Sequence, residues 1–139
     1  MLRVVEFFVA PDDGAAAVVG PRRRGHGFPE FGCADFFPDE AVDDWEVLLV
    51  GGVASDFRVV VPMKCDGFMV FEVQERLCSA LAAASRARLV EVAAQWVERA
   101  EVKDGAPAEV AVEILTEVAG LARTAGDLGQ PLYCWYFAP

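Results

Sequence analysis

At 139 residues, with 55% hydrophobic and 11% aromatic content, the chain has the length and apolar supply of one packed domain, and it is not intrinsically disordered. A net charge of −10 opposes binding to nucleic acid or an anionic membrane and favours a basic partner. Much of that charge is concentrated: between Glu30 and Asp56 stand eight acidic residues, Glu30, Asp35, Asp39, Glu40, Asp43, Asp44, Glu46 and Asp56, and no Lys or Arg.

Leu2 to Val9 is rich in Val and Phe and stops before Pro11, the pattern of a short, largely buried strand. The start lacks the basic region, long apolar run and small-residue site of a secretory leader, so a cytoplasmic address is expected. Asp12 or Asp13 caps a short helix through Ala15 to Val19, which Gly20-Pro21 closes. The run Arg22-Arg-Arg-Gly-His-Gly27 has no periodicity and reads as a mobile loop.

From Pro38 to Val50 the residues Val42, Trp45, Leu48 and Leu49 fall at helical spacing, with Glu40, Asp43 and Asp44 on the opposite face. Pro38 suits a first turn, Asp39 and Glu40 complement the macrodipole, and Gly51-Gly52 ends the helix. Phe57–Val61 and Phe68–Phe71 are two strand-like runs, and Asp66-Gly67 between them signals a hairpin turn. Helices then follow over Glu75 to Ala84, after a Ser85 cap with a core face of Leu89, Val92, Ala93, Trp96, Val97 and Ala100, and over Pro107 to Ala125. Gly126 and Gly129 close the last helix, and Leu132 to Phe137 forms an aromatic terminal strand, apolar on both faces.

Chemistry-bearing motifs are sparse. Cys33, Cys65, Cys78 and Cys134 form no C-x-x-C pair and have no His at ligand spacing, so no metal site is expected. No uninterrupted apolar run approaches the ~18 residues of a membrane span. The three arginines of the loop suit either a phosphate or carboxylate grip or a solvated turn. His26, flanked by glycines, lacks the rigid support that a catalytic base needs. Asp39, Glu40, Asp43 and Asp44 include pairs that could serve as acid and base, but on one helix face they read instead as a solvated, partner-binding patch. They also lack the alternating register of a calcium loop. Glu109, Glu113 and Glu117 recur every fourth residue, with no Lys or Arg four positions from any of them, and form a second acidic stripe. Trp45, Trp96 and Trp135 sit in apolar settings and read as core.

The stretch from Phe68 to Phe137 resembles a broad group of small, uncharacterised bacterial proteins, many from actinomycetes. It carries that likeness in Gln74-Glu-Arg-Leu-Cys-Ser-Ala-Leu81, Val92-Ala-Ala-Gln-Trp96 and Gly129-Gln-Pro-Leu-Tyr-Cys-Trp135. It is also loosely similar to the YfbM-like family, whose members finish with a helix, a Gly and a short apolar strand. The resemblance implies an α+β fold and supplies no catalytic residue.

The expected architecture is a single α+β domain over residues 1–139, with a small sheet that joins both chain ends and packs against three to five helices. The expected function is a non-enzymatic, acidic interaction protein without a cofactor. Its basic partner would be held by Asp39, Glu40, Asp43 and Asp44, as an immunity protein holds a toxin. The competing expectation, a small-molecule binding protein or enzyme, places an aromatic-lined pocket between sheet and helices, with Trp96 and Trp135 in its wall.

Overall fold

A strand apolar on both faces belongs in the middle of a covered sheet, and the final strand occupies that place. The computed structural model describes residues 4–19, 27–34, 36–63, 67–99 and 108–137. Its elements run β1 (Val4–Val9), α1 (Asp13–Ala17), β2 (Glu30–Ala34), α2 (Pro38–Val50), β3 (Arg58–Val61), β4 (Phe68–Glu72), α3 (Glu75–Ala83), α4 (Arg86–Val97), α5 (Ala108–Leu128) and β5 (Leu132–Phe137). The fold is α+β: one sheet of five strands, ordered β2-β1-β5-β4-β3 with every pairing antiparallel. The first and last strands pair directly, with Val4 opposite Phe137 and Val9 opposite Leu132.

Alternation along the two central strands divides the interior. Val5, Phe7 and Val9 of β1, with Leu132, Cys134 and Tyr136 of β5, face α2 to α5 and join the main core. Phe8 of β1, with Tyr133 and Trp135 of β5, faces a smaller cluster closed by Ala16 and Val19 in and after α1. Within the main core Trp45 and Trp96 meet edge to face at 5.1 Å, and Phe36 meets Trp96 in the same manner at 5.5 Å. Each such pair adds about 0.5–1.5 kcal/mol to what burial alone supplies.

Chain punctuation explains most element ends. Asp12 rather than Asp13 caps α1, accepting from the Ala15 N–H at 2.8 Å. Ser85 caps α4 through the Arg88 N–H at 3.1 Å. Gly51, with φ of 90°, ends α2 after Pro38 has opened it. Two expectations need correction. Gly126 does not end α5; the helix continues to Leu128 and stops at Gly129, whose φ is 64°. There the Gln130 N–H bonds to the Ala125 carbonyl and the Gly129 N–H to that of Gly126, a Schellman closure that requires the left-handed residue at position 129. The second correction is β2, a strand that the apolar pattern of its sequence did not signal. It lies at a sheet edge and is held by backbone pairing to β1. β3 and β4 pair antiparallel as expected, with a register shift between Val59 and Val61, while Asp66 of the expected turn lies outside the described residues.

Candidate functional site

The four acids expected to hold a partner share α2 but not one environment. Glu40 is exposed, whereas Asp39, Asp43 and Asp44 are half-buried. Asp44 pairs with Arg99 after α4 at 3.3 Å. Asp43 accepts from Gln74 Nε2 at 2.7 Å, and the same amide donates to the Ser55 carbonyl at 3.1 Å. Burial holds the Asp43 carboxyl above its ordinary range; the Gln74 hydrogen bond opposes that shift, and neighbouring Glu46, Asp39 and Asp56 reinforce it. The Asp39 Oδ1 atom is buried with no hydrogen-bond partner among the described residues.

A fifth acid of the block, Glu46, is completely buried. Its Oε2 accepts the Ser55 N–H and its Oε1 the Ser55 hydroxyl, both at 2.7 Å, and Arg76 of α3 stands 3.4 Å away. The loop between α2 and β3 is therefore tied to α2 through one carboxylate. Glu46 lies at i+4 from Val42 and i+1 from Trp45, on the buried side of the helix. A charged residue on an otherwise apolar stripe was the signal in the sequence that could have found it. Much of the acidic block is thus engaged in the fold's own polar contacts, and within α2 Glu40 is the carboxylate most available to a partner.

On the other face of the sheet, Asp13 binds Arg58 bidentately, both contacts at 2.7 Å, and accepts from the Tyr133 hydroxyl at 2.9 Å. The Arg58 hydrogen bonds, then that of Tyr133, hold its carboxyl down at about 2. Arg58 also reaches Glu72 at 2.6 Å, so α1, β3 and β4 are clasped by one guanidinium.

Glu109, Glu113 and Glu117 project from α5 into solvent. They line a groove of about 330 Å³ with Val112, Thr116 and Arg86 of α4. A second opening, a cleft of about 370 Å³, lies where β4 leads into α3 beside the end of α5. Ala82 and Pro131 contribute apolar surface over the buried Val73 and Leu132, Ala122 and Gly126 line it from α5, and Glu72, Glu75 and Cys78 complete the lining. Burial, then the charges of Glu72 and Glu75, push the Cys78 thiol up.

The remaining sequence candidates separate. Trp96 and Trp135 are both buried, in clusters on opposite faces of the sheet, so they do not share a pocket wall; neither opening has an aromatic lining. Arg22, Arg23, Arg24, His26 and Cys65 lie outside the described residues. Among the described residues no group of three or more His, Cys, Asp or Glu could hold a metal ion, and no helix is long and apolar enough to cross a membrane. No family model matches the chain, and no curated protein or solved structure matches it.

Proposed function

We propose that the chain is a non-enzymatic interaction protein whose acidic surface holds a basic protein, in the manner of an immunity or inhibitor protein that neutralises a basic toxin or enzyme. The observation that carries this reading is the α5 stripe. Glu109, Glu113 and Glu117 are exposed together on one helix face, with Arg86 the one cation among the described residues that line the groove beside them. Like charges one turn apart cost a few tenths of a kcal/mol per pair in an isolated helix, a cost that an approaching basic surface reverses.

Of the α2 quartet, Glu40 is the exposed member, and Asp43 and Asp44 add to the negative potential. Replacing Glu109, Glu113 and Glu117 by Gln removes three charges while keeping their shape. At about 0.2–1 kcal/mol per exposed pair, the triple variant weakens binding of the partner by roughly 0.6–3 kcal/mol and flattens the salt dependence. Unchanged affinity, measured by titration calorimetry against the captured partner, refutes the mechanism.

One observation favours a second reading. The cleft beside Cys78, at about 370 Å³, falls within the volume range of small-ligand sites and joins an apolar surface to a few polar groups. On that reading the chain is a small-molecule binding protein. Binding there would respond weakly to salt, whereas binding by the stripe would respond strongly.

A further inference from the structure

The cleft beside Cys78 gathers negative potential from two elements, and that property, resting on the small-molecule reading above, specifies a ligand class. Glu75, exposed at its mouth, makes no ion pair with any described residue. Glu72 also lines the cleft, but its carboxylate is bound by Arg58 at 2.6 Å on the other face of the sheet. The 21-residue α5 ends against the same space at Ala125 and Gly126, with no basic residue in its last turn, so the negative end of its dipole is uncompensated by its own side chains. The positive end of α3 offsets part of the Glu75 charge, yet no Lys or Arg among the described residues lines the cleft. Burial pushes the Cys78 thiol up, and the charges of Glu72 and Glu75 add to that shift.

We propose that this cleft binds a small alkylammonium ion, its nitrogen against Glu75 and the α5 terminus and its short aliphatic chain against Ala82 and Pro131. Anions are opposed by the field. Neutral chains of equal length lose the ion contact and retain only the apolar one.

The test is a set of amide NMR titrations of the intact protein with n-butylammonium, n-butanol and butyrate. Butylammonium is expected to give saturable shifts at Cys78, Ala122 and Gly126, with at least tenfold weaker binding of the other two. Glu75→Gln is expected to weaken butylammonium threefold or more. Gly126→Leu places a side chain where a Cβ meets no atom within 4 Å, and is expected to abolish the shifts by filling the space. Because the comparison of the three probes uses the unaltered chain, it stands even if a variant fails to fold. Equal shifts from butanol or butyrate overturn the ligand class while leaving a small-molecule cleft; absence of saturable shifts from all three overturns the cleft itself. An unchanged affinity in a folded Glu75→Gln protein also overturns the proposal.

Discussion

Replacing Glu46 tests whether one buried carboxylate ties the loop after α2 to the helix. Three contacts converge on it: the Ser55 N–H and hydroxyl at 2.7 Å each and Arg76 at 3.4 Å. Hydrogen bonds to a charged group contribute about 1.5–3 kcal/mol apiece, against several kcal/mol for removing the carboxylate from water. In Glu46→Gln the amide oxygen keeps the Ser55 N–H, and the new NH₂ donates to the Ser55 hydroxyl, which can turn to accept it. The loss is then the charge assistance and the Arg76 attraction, about 1–2 kcal/mol. Glu46→Leu leaves the Ser55 N–H without its acceptor, a penalty of about 1–3 kcal/mol, and releases the hydroxyl as well. Leucine is therefore expected to cost more than glutamine. Urea unfolding read by midpoint and slope measures both, and hydrogen exchange at the Ser55 amide locates the effect. Exchange there should accelerate in Glu46→Leu and much less in Glu46→Gln. A leucine variant as stable as the wild type, with Ser55 exchange unchanged, would refute the assignment; replacement of buried charge by a hydrophobe has that outcome when the contacts contribute less than desolvation costs.

Trp96→Ala, which removes a 1%-exposed ring in contact with Trp45 and Phe36, is expected to cost about 3–5 kcal/mol in the same unfolding assay. Trp96→Phe should cost clearly less, because the Trp96 Nε1 has no hydrogen-bond partner among the described residues to lose. Asp43 has a raised carboxyl pKa in the fold, so the stability it contributes is fully present below its unfolded value and is lost as pH rises through the folded value. Asp43→Asn, which keeps an acceptor for Gln74, is therefore expected to gain stability over the wild type at neutral pH and to lose that advantage on acidification, as pH-dependent unfolding midpoints would record. Asp13 has the opposite sign: its contribution is present above the ordinary carboxylate value of 3.8 and is lost as pH falls towards about 2. Asp13→Asn should accordingly flatten acid unfolding in that window.

The elements that sequence patterning revealed are those whose apolar period matches their burial. In β5 the apolar residues on both faces required a covered central strand; α4 and α5 bury most of their core stripes where the spacing puts them, although Val110, at the start of the α5 stripe, is 43% exposed and Ala100 lies outside the described residues. The edge strand β2, Glu30-Phe-Gly-Cys-Ala34, was not legible because its short sequence shows no clear apolar alternation; backbone pairing to β1 and the packing of Phe31 on the main core place it. Gly126 was misread as a stop because a glycine without a positive φ is tolerated inside a long, well-packed helix. The acidic block was legible as charge but not as contacts. Whether Asp43 meets solvent or Gln74 depends on a residue 31 positions away, and whether Glu46 is buried depends on a loop folding back over it. The cleft beside Cys78 was invisible for the same reason, since β4, α3 and α5 bring its lining together from distant parts of the chain.

The measurement that bears most directly on the proposed function is affinity capture of the tagged chain from its native lysate at low and then high ionic strength, run in parallel with the Glu109→Gln, Glu113→Gln, Glu117→Gln variant. The account predicts a basic protein retained at low salt, released as salt rises, and retained poorly by the variant. A partner held equally by both proteins at all salt concentrations, or one without basic character, would contradict it.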